Sequence, residues 1–269
     1  MQNTTFVFRE QFGIKAEEPI DHLVRKAERA GILVIVLAFD VRLHDRLDAF
    51  SCWVGDYADR PVNVLRASSS WDRRRWSMAH EIGHAVLHKR HRDGDIEEQA
   101  NQFACELLLP GDSLAADWPT NPTIMSLLPL KEKWGLSIQA LMEHGFRAGL
   151  LGESKRMSLY KQLSNRKWPD GVRWREREPG YNSRDPELPR MLGKMVEVGL
   201  GTDASLDLVS QETGYWPVLF LQELLGVQLA RSGKRDARRP AGPRSPAKSK
   251  SQVVSLTDWR RDEANKSYG

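Results

Sequence analysis

The stretch WSMAHEIGHAVLH, residues 76–88, constrains this chain more than any other. Its apolar and small residues recur every three to four positions, and serines followed by Asp72 supply an N-terminal signal, so a helix is predicted. On a helix, residues four apart share a face and lie about 6 Å apart along the axis. His80 and His84 can therefore aim ring nitrogens at one point, and zinc accepts such nitrogens at about 2.0 to 2.1 Å. Glu81 is rotated by about 100° from His80, which suits it to act on a water at that point rather than to ligate. Two nitrogen ligands with a carboxylate base beside them on one rigid element is the arrangement of a metal-dependent peptidase. The competing explanation is chance, which would produce H-E-x-x-H in about one in a hundred sequences of this composition.

A catalytic zinc takes three protein ligands and keeps a fourth position for water. His88 continues the stripe but lies about 12 Å along the axis from His80, too far for one ion to hold both with His84, so a supporting role is expected for it. His91 and His144 are expected to be solvated. Acidic candidates downstream are Asp93, Asp95, Glu97, Glu98 and Glu106. In the helix predicted over IEEQANQFACELLLP, Glu97 shares a face with Ala100, Asn101 and Ala104, small residues that would let this helix approach the first at Gly83. Glu98 falls with Gln102 and Glu106 on the solvated side, and Asp95 with Glu98 has the pattern of an N-cap and its partner. Glu97 remains as the third ligand.

Around these helices the chain is expected to place a small sheet and further helices. ILVIVLAF, residues 32–39, has the β-branched content of a short buried strand, preceded by a helix over Asp21–Ala30 that stops at Gly31. AFSCWVG and PVNVLR, separated by DYADR, predict a hairpin. Residues 123–150 predict two helices joined at Gly135-Leu136-Ser137, with the look of a helix-turn-helix. Beyond 153 the chain is polar and rich in Arg and Trp, then helical near 187–199 and 203–225. The division expected is a domain over 1–152, a helical accessory region over 153–230 and a tail over 231–269.

The formal charge of +4 would suggest an anionic partner were it spread over the fold. Residues 231–250 alone carry +7, five Arg and three Lys against one Asp, which leaves −3 for the rest of the chain. That tail, rich in Pro, Gly, Ser and Ala, is expected to be disordered and to contact nucleic acid weakly and without sequence preference, with VVSLTDW, 253–259, as a short docking segment. The two cysteines, Cys52 and Cys105, are too few for a disulfide framework, and no membrane span or secretory signal is visible, so a cytoplasmic protein is expected.

The run from FSCWVG through WSMAHEIGHAVLH to EEQANQFACELLLP resembles the ImmA/IrrE family of zinc metallo-endopeptidases. His80, Glu81 and His84 match the first part of its signature, and Glu97, Ala100, Asn101, Ala104, Leu108 and Pro110 the second, in order and over roughly residues 20–150. The resemblance implies an α+β fold with a thermolysin-like (zincin) peptidase core, a small N-terminal β-sheet and a mostly helical remainder. It implies His80, His84 and Glu97 as zinc ligands and Glu81 as general base. It also implies a substrate, a helix-turn-helix repressor of mobile-element or stress-response genes. About twenty residues precede the first expected helix, so the DNA-binding domain that some members carry is expected to be absent and the repressor to be a separate protein. The oxyanion donor is open among Tyr57, Tyr160, Tyr181 and His88.

Two other readings compete. A DNA-binding regulator would use the helix pair at 123–150 and the basic tail, although Ile138–Arg147 offers only Gln139, Glu143, His144 and Arg147 to a groove. A non-catalytic repressor-binding protein would have no need of Glu81 beside its ligands. RKWPDGVRWRERE, 166–178, is either a stacking surface for a nucleic acid or peptide, or amphipathic cover for a small core.

Overall fold

The computed structural model describes residues 2–15, 17–38, 48–89 and 94–225. Three strands form one mixed sheet: β1 (Leu33–Leu37), β2 (Ala49–Val54) and β3 (Arg60–Arg66), in the order β1-β3-β2. The hairpin turns through Gly55 and Ala58, both at positive φ, and pairs β2 antiparallel to β3 from Ala49↔Leu65 to Val54↔Arg60. β1 pairs parallel to β3, Leu33 opposite Val62 and Leu37 opposite Arg66. Central β3 is covered on both faces, which buries Val62, Asn63, Val64 and Leu65 in succession.

Eleven helices are described. α1 (Gln2–Gln11) lies ahead of the first helix expected from the sequence and is held by tertiary contacts. Phe8 sets its ring edge-on to Phe103, with centroids 6.0 Å apart, and the Arg9 guanidinium donates to the carbonyls of Leu107, Lys15 and Glu18. α2 (Leu23–Arg29) is shorter than the periodicity suggests, because His22 sits in the left-handed region and the chain leaves the helix at Gly31, φ +89°. α3 (Trp71–Leu87) packs its Met78, Ala79 and Ile82 against Leu65 of the sheet, α2 and Phe103 of α4 (Ile96–Leu108) to make the main core.

The short α5 (Gly111–Asp117) is followed by α6 (Ile124–Trp134) and α7 (Ile138–Arg147), joined as predicted at Gly135, φ +76°. α8 (Glu153–Asn165) stands in a stretch whose polarity hides it; only Leu159 and Leu163, four apart, are buried, and both join the main core. α9 (Met191–Leu200) matches expectation. The expected helix over 203–225 is instead two, α10 (Leu206–Glu212) and α11 (Val218–Leu225), because Gly214, Tyr215 at φ 64° and Pro217 break it. α9 to α11 share a small cluster of Leu206, Val209, Leu221 and Leu225.

Buried ionic and capping bonds tie the later segments to the earlier ones. Glu187 accepts from the backbone N–H of Val24 and from Arg75, both at 2.8 Å, and Glu28 accepts from the N–H groups of Arg190 and Met191. Lys131, with no solvent exposure, sits between Asp72 at 2.8 Å and Glu178 at 3.1 Å. Glu178 also accepts from the N–H groups of Ile138 and Gln139, so one carboxylate neutralises a buried ammonium and caps α7. No described helix is long and apolar enough to cross a membrane. Cys52 and Cys105 are free thiols.

Candidate metal and peptidase site

The site exists because α3 and α4 touch backbone to backbone. A Cβ on Gly83 would lie 3.2 Å from Ala100 Cα and 3.2 Å from the Phe103 ring, so any larger residue would have to push the helices apart by a few tenths of an ångström. That closeness sets Glu97, in the first turn of α4, over the histidines of α3. Glu97 Oε2 lies 3.3 Å from His80 Nε2, and its Oε1 lies 3.5 Å from His84 Nε2. The two Nε2 atoms are 3.0 Å apart. Glu97 is 68% exposed, and both its oxygens lie within 3.5 Å of an imidazole Nε2.

The hydrogen-bond partners fix which atoms carry protons. The amide oxygen of Asn101 only accepts, so His80 Nδ1, 3.0 Å away, donates to it, which selects the tautomer whose lone pair is on Nε2. Gln99 Oε1 likewise accepts from His88 Nε2 at 3.1 Å, which leaves His88 Nδ1 as an acceptor. His84 Nδ1, 3.0 Å from that atom, must then donate, and His84 Nε2 also presents a lone pair. Burial, reinforced by the neighbouring His80, holds the His84 pKa down to about 4, so its ring is neutral at pH 7. Two nitrogen lone pairs and a carboxylate thus converge with no hydrogen to place between them. Such a set repels itself unless a cation lies at its centre, and two nitrogens at the zinc bond length on a tetrahedral ion would be about 3.3 Å apart. The residues fit a divalent metal of zinc's preferences.

Glu81 is buried beneath this cluster, turned toward the sheet, where Ser51 of β2 hydrogen-bonds it. Burial pushes its carboxyl pKa up, and Glu97 adds to the effect, against Ser51 and His80. A carboxylate with raised proton affinity beside a metal-type donor set is suited to accept and return a proton.

The other acidic candidates have different work. Asp95 caps α4 by accepting from Glu98 N at 3.0 Å; Glu98 bonds Gln102 and pairs with Arg147; Glu106 accepts from Gly111 N. Asp93 and His91 lie outside the described residues. His144, expected to be solvated, is buried and bonds the Leu109 carbonyl at 2.8 Å, because α7 turns this face toward α4. Of the oxyanion candidates, Tyr57 stands 89% exposed in the hairpin turn, Tyr160 donates to Glu143, and Tyr181 packs on Trp168. Ser51, Gln99 and Asn101 are supporting residues that sequence reasoning missed as such. The signal available was Asn101's position one turn after Glu97, and that of His88 one turn after His84.

The polar residues that α7 would offer to DNA are all engaged inside the protein. Gln139 bonds Glu178 and the Arg175 carbonyl, Glu143 pairs with Arg156, His144 is buried, and Arg147 pairs with Glu98. The N-terminus of α7, the part of a recognition helix that meets base edges, is covered by Glu178. In 166–178 the rings also face their own segment, Trp168 against Trp174 and Tyr181 with Arg166 and Arg177 on their faces.

No curated protein gives a match to the chain. Residues 27–143 match the Peptidase M78 family in its IrrE N-terminal-like domain, a span that begins in α2, ends in α7 and contains the sheet, α3, α4 and all four candidate residues. Over those residues the chain is similar to the Peptidase M78, or ImmA/IrrE, family.

Proposed function

We propose that this protein is a zinc-dependent endopeptidase with a thermolysin-like core, in which His80, His84 and Glu97 hold the metal and Glu81 is the general base. The observation that carries the proposal is the convergence of two imidazole Nε2 atoms and a carboxylate, each imidazole held by a hydrogen bond behind it. A zinc ion held there supplies Lewis acidity toward a peptide carbonyl and toward water. Glu81 takes the proton of the attacking water and passes it to the departing amine, and its burial favours both transfers. Ser51 holds that carboxylate in place from the sheet.

The substrate we propose is a separate helix-turn-helix repressor, whose cleavage relieves repression of mobile-element or stress-response genes. The peptidase domain is taken as 1–152, with 153–230 as its helical accessory region and 231–269 as a basic tail able to touch nucleic acid through charge. Two free thiols and the absence of a membrane-length helix among the described residues suit a cytoplasmic setting. Co-expression with the repressor encoded beside this gene tests the proposal. Cleavage is expected from the native chain and none from Glu81→Gln, which still binds one zinc. A Glu81→Gln protein that cleaves, or a native chain that binds no zinc, would refute it.

A further inference from the structure

A groove of about 730 Å³ lies beside the candidate metal site, bordering it through Asn101, and runs between α3 and α4 on one side and α7, α8 and the 173–178 segment on the other. It starts at Asn101, the hydrogen-bond partner of His80, and follows α3 back through Ser77 and Trp76 to Arg73. Those residues precede His80 by one to two turns, so the groove extends about 10 Å along α3. An extended peptide advances about 3.3 Å per residue, which makes that about three residues from the point of cleavage.

All but one of the groove's acids are already matched. Asp72 and Glu178 share the buried Lys131, Glu143 pairs with Arg156, and Asp48 pairs with Arg73. Of its arginines, Arg73 is taken by Asp48 and Arg147 by Glu98, but two are not matched. Arg173 and Arg175 line the groove, are exposed, and have no acidic partner among the described residues; the one unmatched acid on the wall is the neighbouring Glu176. Their backbone is tied down. Between them Trp174 points the other way, packs on the main core and takes Arg166 over its ring, while its N–H donates to the Arg166 carbonyl and that of Arg175 to the Leu163 carbonyl. Arg173 bridges to Lys167 and the chain then turns, the N–H groups of Glu176 and Arg177 both bonding the Arg173 carbonyl, which leaves the Trp174 ring on the core and Arg173 and Arg175 lining the groove.

We infer that this groove binds the substrate peptide on one side of the scissile bond, and that Arg173 and Arg175 select an acidic side chain about three residues from it. The inference rests on the peptidase reading for the cleavage itself, but the binding can be measured without turnover. Full-length Glu81→Gln protein supplied with zinc is titrated into fluorescein-labelled octapeptides of alternating Ala-Glu or Ala-Gln, at about 0.1 M salt. The Ala-Glu peptide is expected to bind about ten-fold tighter, with free and amidated C-termini alike. Adding Arg173→Gln and Arg175→Gln brings the ratio near one, and Arg173→Glu with Arg175→Glu turns the preference toward an Ala-Lys peptide. Equal binding of the two peptides, a preference that survives both double substitutions, a preference confined to the free C-terminus, or displacement by a short DNA oligonucleotide would overturn it. An acidic preference in a native chain that cleaves nothing would sink the peptidase reading alone; cleavage without that preference would sink only this one.

Discussion

Replacing His88 tests how the site is held together. Its Nδ1 is the acceptor for His84 Nδ1–H, and its own Nε2–H is spent on Gln99. His88→Phe keeps a ring in this buried position but removes the acceptor, so His84 loses the bond that puts its proton on Nδ1 and its lone pair on Nε2. A buried N–H left unpartnered costs about 1–3 kcal/mol, and loss of a partner behind a metal-bound imidazole typically weakens metal binding about 10–100-fold. A factor of ten is about 1.4 kcal/mol, so the two figures agree. His88→Gln retains an amide oxygen that can accept from His84 and should lose less. Zinc affinity is read by competition with a chromophoric chelator at pH 7.5, and a thermal melt of the metal-free protein shows whether the variant folds. If His88→Phe binds zinc as tightly as the native chain while melting normally, the relay does not set the state of His84.

Three other substitutions or conditions follow from the packing. Gly83→Ala places a methyl group 3.2 Å from Ala100 Cα, and the strain of about 1–3 kcal/mol should exceed the roughly 0.5–1 kcal/mol gained in helix propensity. A lower urea midpoint together with weaker zinc binding is expected, and an unchanged zinc affinity would show that the helix separation does not position Glu97. Lys131→Met leaves Asp72 and Glu178 facing each other in a buried site, a loss of about 3–5 kcal/mol in chemical denaturation; a loss under 1 kcal/mol would contradict the pairing. Acidification should destabilise the metal-free protein through His144 and His84, whose pKa values burial lowers, the latter to about 4. The unfolded chain takes up these protons as pH falls through about 6.5, while the folded chain resists until its own lower pKa, so stability is full above pH 6.5 and declines toward pH 4. His144→Gln should flatten the slope of urea midpoint against pH, and an unchanged slope would remove His144 from the account.

What the sequence disclosed, and what it hid, follows from how local each feature is. The strands were legible because β-branched runs bounded by Gly and Asp state their own conformation, and the two histidines because helical spacing alone aligns them. Glu97 was legible for the same reason one step removed, since the phase of α4 put it with Ala100, Asn101 and Ala104. α1 was not: QNTTFVFREQ favours strand as much as helix, and the contacts that decide it, Phe8 with Phe103 and Arg9 with the Leu107 carbonyl, lie about a hundred positions away in the chain. α8, with two buried leucines in thirteen residues, carries too weak an apolar stripe to announce itself. Lys131 has nothing in its neighbourhood to mark it as buried, because its partners come from α3 and from the segment before Tyr181.

The same distinction separates the ligands from the residues that make them work. A ligand set drawn from one helix face and one turn of the next is written in spacing, but the proton on each imidazole is decided by Asn101 and Gln99, which reach it only because Gly83 lets two helices meet. Residues 166–178 follow that logic at longer range. As a sequence, alternating Arg and Trp suits a stacking surface and a core cover equally; in the fold, Trp174 takes the core side, and geometry then commits its two arginine neighbours to the groove. Chemistry at this site is therefore read from the first sphere outward: identity comes from local pattern, protonation from helix packing, and the electrostatic character of the cleft from a segment that the pattern alone left ambiguous.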